Sequence, residues 1–269
     1  MIEREKLAII GASGFVGSRS KEILDSTHKY VVIAPSSKVV NITSQESVLR
    51  FFERLDAPVV VNLAAYTNVG KAEEEEKEAR ALNVDGARNL AEASLAYDKF
   101  LIHISTGYVI DRGHDLTFYG QTKLEGEEAI LEAHCHNAIV RIDYPFGNPT
   151  NEKDYVRKIL SAMEKGYSLY SDQWLTPTFI PDLVRVIERI VECRAGGIFQ
   201  VATNPSLTPY EFGTYLAKKL GLPTPKKGSV IGKDETRYPL HGELDTLETE
   251  RILDIQMSNW KNAVDKLAL

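Results

Sequence analysis

The chain has 269 residues, a formal net charge of −6, 43% hydrophobic and 26% charged residues. That length admits one large α/β unit, or a nucleotide-binding unit with a smaller lobe beside it, and the composition excludes a disordered chain. An acidic surface argues against non-specific binding of nucleic acid or a membrane surface, while a local positive pocket for an anionic nucleotide stays open.

The opening "MIEREKLAIIG" places charges before a short apolar run and has no cleavage pattern, so no signal peptide is expected. No uninterrupted apolar stretch reaches about 18 residues, so no membrane span is expected. The first predicted strand, "KLAIIG", runs into "GASGFVGSRS", with Gly11, Gly14 and Gly17 leading into a helix. Glycines allow a tight turn and let backbone amides approach a pyrophosphate at the positive end of a helix. The alternative reading of the same glycines is a tight turn with no ligand.

The second strand, "YVVIAP", continues as "SSK". An NAD site usually has an acid about 20 residues beyond the glycines. No carboxylate stands between Asp25 and Glu46, while Ser36, Ser37 and Lys38 offer hydroxyls and a charge to a 2′-phosphate. This predicts NADP(H) ahead of NAD(H), although Lys38 reads equally as an exposed loop lysine. "PVVVNLAA" is the third strand. In the following "AEEEEKEARALNVDGARNLAEASLAY", Ala79, Leu82, Ala87, Leu90 and Ala91 share a helical face. Glu73 to Glu76 read as solvated acids complementing the helix dipole.

"KFLIHIST" is the fourth strand, and it ends on Thr106. Ligands bind at the carboxyl ends of such parallel strands, where a threonine hydroxyl can orient a reacting oxygen. "FYGQTKLEGEE" then starts a helix that lifts Tyr119 and Lys123 from one face. A phenol can protonate a ketone that accepts hydride, provided a nearby cation lowers its pKa from about 10. Lys123 is the cation expected to do so, and it can also bond a ribose.

"AHCHNAIV" groups His134, Cys135 and His136, but no second Cys/His cluster completes a zinc site, so no metal is expected. Cys135 and Cys193 are the only cysteines; they predict buried thiols and a reducing, cytoplasmic setting. "AIVRID" is the fifth strand. Strand and helix alternating in this way predict a doubly wound parallel sheet of Rossmann type over residues 1–147. Beyond it, the proline-containing stretches "LTPTFIPD", "NPSLTPYE" and "GLPTPKKG" mark residues 148–269 as mainly a smaller C-terminal substrate-binding lobe, with segments returning to the first unit. Trp260 reads as core and Trp174 as a loop residue able to stack on a base or sugar.

In order along nearly the whole chain, "GASGFVG", "VVVNLAAYTNVGKAE", "ALNVDGARNLAEA", "HISTGYV", "YGQTKLEGE", "IVRIDYPFG", "YSDQWLTPTFIPDL" and "LDTLETERILDI" resemble the extended short-chain dehydrogenase/reductase superfamily, and within it the dTDP-4-dehydrorhamnose reductase family. The resemblance implies an oxidoreductase acting on a nucleotide-sugar substrate, with a homodimer as candidate assembly. It implies Thr106, Tyr119 and Lys123 as the catalytic trio, with Asn83 supporting their hydrogen bonds. The cofactor would meet Gly11, Ser13, Gly14, Phe15, Val16, Gly17, Ser36, Ser37, Lys38, Asn41, Leu63, Ala64, Ala65, Tyr66 and Tyr144, together with Tyr119 and Lys123. Tyr108, Asp172, Gln173, Trp174 and Thr176 would lie on the sugar-nucleotide side.

The chain also departs from the family pattern. Gly107 stands where Ser-Thr-Asp-Tyr is usual, and Gly70 precedes Lys71 where Val-Asp-Lys-Ala-Glu is usual. The stretch from Tyr108 to Tyr119 is short, and Asn41 replaces an aspartate often found after the third strand. The glycines raise a second expectation, a cofactor-binding regulatory subunit like that of methionine adenosyltransferase. An NAD-holding epimerase or dehydratase is a third.

Overall fold

The computed structural model describes residues 4–110, 116–232 and 240–269. Its centre is a six-stranded parallel sheet with the order β2-β1-β3-β4-β5-β8. These strands are β1 (Glu5–Ile10), β2 (Tyr30–Ile33), β3 (Val59–Asn62), β4 (Phe100–Thr106), β5 (Asn137–Ile142) and β8 (Gly197–Val201). The first five are the predicted apolar runs. All of β3 and β4 is buried, as expected for strands covered on both faces.

One face is covered by α1 (Phe15–Thr27) and α7 (Ile180–Cys193), whose Leu24, Leu183, Ile187 and Ile190 pack on the strands. The other carries α2 (Gln45–Glu53), α4 (Gly86–Ala96) and α5 (Phe118–Glu132), through Val48, Phe52, Leu90 and Ile130. The predicted long helix is broken: α3 (Glu76–Arg80) passes through a π-helical turn, Ala81–Asp85, before α4 begins. Such turns are rare and recur at functional sites, and this one carries Asn83.

A further hydrophobic cluster holds Phe146, Tyr155, Phe179, Leu207, Phe212 and Trp260. It is built from α6 (Tyr155–Glu164), α8 (Pro209–Leu220) and α10 (Trp260–Asp265), with the two-residue strands β6 (Leu169–Tyr170), β7 (Trp174–Leu175), β9 (Lys227–Gly228) and β10 (His241–Gly242) nearby. α8 starts on a capping box between Thr208 and Glu211. α7, β8 and α9 (Leu247–Leu253) come from the same half of the chain but lie on the sheet side, with Phe199 and Leu253 in the first cluster.

Asp154 joins the two halves. Its carboxylate is fully buried and accepts the backbone N–H groups of Gly147 and Asn148, each at 2.7 Å, and of Val156 at 2.8 Å. The loop after β5 is thereby tied to the start of α6.

Two sequence expectations need correction. Cys135 is buried, but Cys193 is exposed at the end of α7. Asn41 follows β2 rather than the third strand, and its Oδ1 accepts Thr43 N–H at 3.2 Å and Thr43 O–H at 3.0 Å, bracing the turn into α2. The glutamates from Glu73 to Glu76 stay at the surface as expected, and two of them also bond locally: Glu73 accepts the Phe118 N–H at 2.9 Å and half-buried Glu75 the Tyr66 hydroxyl.

Candidate active site

The glycine loop joins β1 to α1. Gly11 has φ +84°, and a Cβ there would stand 2.4 Å from Ala64 N; one at Gly17 would stand 2.2 Å from Gly11 O. The loop therefore lies backbone to backbone against the 62–66 segment. The α1 N-cap is Gly14, without a side-chain cap bond, and the first turn carries no acid. These amides suit a pyrophosphate, so the loop fits a dinucleotide. Ser13 and Gly14 are exposed, whereas Phe15 is buried and Val16 packs against the sheet core, which leaves backbone amides as the contacts those two can offer. Ser36, Ser37 and Lys38 are exposed beyond β2.

Leu63, Ala64 and Ala65 are half-buried along the next strand end, and Tyr66 is buried. Asn83 holds that segment by accepting Tyr66 N–H at 2.9 Å and donating to Tyr66 O at 3.3 Å and to Thr122 Oγ1 at 3.0 Å. Its bonds brace the loop against α5 and do not reach Tyr119 directly.

Thr117 caps α5 by accepting Gly120 N–H at 3.1 Å, which fixes where the helix starts and brings Tyr119 and Lys123 beneath the end of β4. Both are buried. Thr106 donates its hydroxyl proton to Asp143 Oδ1 at 2.7 Å and accepts Tyr108 N–H at 3.3 Å. The Tyr108 ring meets that of Tyr119 edge-on, with centroids 5.8 Å apart. Burial, and then the Asp143 carboxylate, push the Tyr119 phenol above its usual range, against a smaller lowering from the Thr106 hydroxyl.

Lys123 lies on a different network. Its Nζ donates to the Ile104 carbonyl at 2.9 Å and lies 3.2 Å from His103 Nε2. On the far side of that ring, Asn62 Nδ2 lies 3.1 Å from Nδ1, while Asn62 Oδ1 accepts Ala64 N–H at 3.0 Å. With its oxygen occupied, Asn62 presents N–H to Nδ1, so the ring proton sits on Nε2 and faces Lys123. An ammonium there sets donor against donor; a neutral amine accepts. Burial acts in the same sense, lowering Lys123 to about 8 and holding His103 well below its ordinary value. The expected lowering of the phenol by Lys123 is thus not met: the amine is turned to His103 and Ile104.

Tyr144 has φ 46°, and its ring lies 5.2 Å from that of Tyr155; burial first, then the Tyr108 and Asp143 charges, raise its phenol. On the predicted substrate side, Asp172 accepts Val230 N–H at 2.9 Å and the Ser229 hydroxyl, and Thr176 Oγ1 accepts Leu244 N–H at 2.8 Å. Both therefore act as local braces. Gln173 is buried and Trp174 exposed. Part of the short stretch after Tyr108, residues 111–115, lies outside the described residues. Among the described residues no group of three or more His, Cys, Asp or Glu could hold a metal ion, and no helix is long and apolar enough to cross a membrane.

Sequence reasoning gave no role to His103, and none to Asp143 as a partner of Thr106 or to Asn62 as a partner of His103. The signal for Asp143 was an acid just past the end of the strand paired with β4; for the other two it was polar residues inside otherwise apolar strands.

A family model described as the RmlD substrate binding domain matches residues 5–268. The chain is 27% identical to the dTDP-4-dehydrorhamnose reductase of Aggregatibacter actinomycetemcomitans, over 97% of this chain and 98% of that one. It is 26% identical to the methionine adenosyltransferase 2 subunit beta of Pongo abelii, over 98% and 90%. The solved structure of dTDP-4-dehydrorhamnose reductase from Bacillus anthracis in complex with NADP matches it with a TM-score of 0.88 at 25% identity, over 98% of each chain.

Proposed function

The chain belongs to the RmlD substrate-binding-domain family, and from that premise we propose that it is an NADP(H)-dependent reductase of a nucleotide-linked 4-keto-6-deoxy sugar, working in the cytoplasm, with a homodimer as the assembly to test by light scattering. The observation that carries this reading is the convergence of Thr106, Tyr119 and buried Lys123 at the carboxyl end of β4, in a fold whose glycine loop is shaped for a dinucleotide.

The glycine loop and the 62–66 segment hold the cofactor, with Ser36, Ser37 and Lys38 on its 2′-phosphate. When bound, the reduced nicotinamide supplies a hydride to the keto carbon. Tyr119 delivers its Oη proton to the carbonyl oxygen. Lys123 hydrogen-bonds the nicotinamide ribose. The cluster around Phe146 and Phe212 supports the lobe that takes the sugar nucleotide.

Purified protein should oxidise NADPH only when a dTDP-4-keto-6-deoxy sugar is present, and Tyr119→Phe should lower turnover by about a thousandfold. Turnover within about tenfold of wild type after that substitution removes Tyr119 as proton donor. A second reading, a regulatory subunit that binds NADP without catalysis, draws on the 26% identity to a methionine adenosyltransferase 2 subunit beta and on Gly107. Tight NADPH binding without turnover on a panel of keto sugars, together with a co-purifying partner enzyme, would favour it.

A further inference from the structure

β3 and β4 run parallel with Asn62 opposite His103, so the two side chains leave one face of the sheet side by side. α5 covers that face and brings Lys123 down onto it. All three side chains are buried, so each polar atom depends on protein partners in place of water. Asn62 Oδ1 accepts Ala64 N–H at 3.0 Å and its Nδ2 donates to His103 Nδ1 at 3.1 Å; His103 Nε2 lies 3.2 Å from Lys123 Nζ, which donates to the Ile104 carbonyl at 2.9 Å. The bonds run unbroken from the 62–66 segment to the lysine.

The first link lies at the glycine loop. A Cβ on Gly11 would stand 2.4 Å from Ala64 N, so the amide that Asn62 holds is the one the loop closes against. The last link has a direction. Because Asn62 gives its amide oxygen to Ala64, it donates to Nδ1, and the ring offers Nε2–H to Nζ. A neutral amine has two N–H groups and one lone pair. The lone pair takes the imidazole proton and one N–H is spent on Ile104, which leaves the second N–H for a ribose hydroxyl. Two fixed partners also hold to one rotamer a long side chain that is otherwise free to choose among many.

We propose that His103 is a positioning residue for NADPH binding, acting through Lys123: held in one orientation by Asn62, its ring donates Nε2–H to Nζ and sets the amine where its remaining N–H meets the nicotinamide ribose. The segment that lines the cofactor and the lysine that bonds it are thereby seated together. This rests on the reductase reading above, in which Lys123 bonds that ribose.

The test is NADPH titration, followed by nicotinamide fluorescence, of the full chain and of His103→Leu and His103→Gln, together with initial rates on a dTDP-4-keto-6-deoxy sugar. His103→Leu, which has no polar atom, should weaken NADPH binding by about 10- to 100-fold, the scale of a buried hydrogen bond left unmade, and raise KM for NADPH by the same factor with kcat at saturating NADPH within about threefold. His103→Gln, whose amide N–H can still face Nζ, should restore affinity to within about threefold of wild type. Unchanged affinity in His103→Leu, equal losses in the two variants, or a loss confined to kcat overturns the proposal. The ring's tautomer is read in the wild-type chain, with neither cofactor nor substrate, from 15N spectra of labelled histidine in which His103→Gln identifies the resonance. A bare Nδ1 and a protonated Nε2 are expected, and the reverse overturns the proposal even if His103→Leu does not fold. Wild type that binds NADPH with this pattern of variants but reduces no keto sugar overturns the reductase reading alone.

Discussion

Tyr119 and Lys123 rise from one face of α5, yet they sit in opposite electrical surroundings. The phenol feels the Asp143 carboxylate; the amine faces a neutral imidazole and a backbone carbonyl. Burial disfavours the charged form of each, and the neighbours decide the rest. Asp143 adds to the phenol's hold on its proton, whereas the Asn62–His103 pair adds to the amine's readiness to release one. The lesson is that a Tyr-x-x-x-Lys spacing does not by itself make the lysine an acidifier of the tyrosine.

The largest expected effect separates the two roles. Lys123→Met should lower kcat/KM for NADPH by about a thousandfold while leaving Tyr119 to titrate as before, measured by initial rates over a range of NADPH. If kcat alone falls, Lys123 acts on the phenol and the asymmetry is wrong. The next concerns pH. Lys123, at about 8 in the folded chain against an ordinary 10.5, binds fewer protons folded than unfolded between those values, so its contribution to stability rises across that window. Denaturation curves at pH 7.5 and 10 should show wild type gaining about 2 kcal/mol relative to Lys123→Met.

Asn83→Ala removes the brace common to both sides, leaving Tyr66 N–H without its acceptor. A loss of about 1–3 kcal/mol in unfolding free energy and of about tenfold in kcat/KM is expected. The smallest effect tests the neutral partner. His103→Gln retains an uncharged amide able to face Nζ and should stay within about threefold of wild-type turnover, whereas a larger loss would show that the ring itself is required.

The strands of the sheet were legible because runs such as "VVVN" and "FLIHIST" bury both faces, and the glycine loop because its glycines fall between a strand and a helix. β8 was not: "GIFQV" is short, begins at a glycine with φ +124°, and exposes Ile198. Thr106, Tyr119 and Lys123 could be named from spacing, because a strand end followed by a helix start brings them together. Asp143 could not, since its nearness to Gly107 depends on the β4/β5 register, which only the paired strands set. The polarity of the Lys123 pocket was hidden for a similar reason: His103 and Asn62 come from adjacent strands and count for little until paired.

The Asp154 carboxylate, which gathers amides from both sides of one bend, gives the molecule a rivet where the sheet hands over to the outer helices. Any swing of those helices must pivot about that rivet or strip three donors from it. The Tyr144 and Tyr155 rings, 5.2 Å apart, stand on the same bend and are held to it by the same amides.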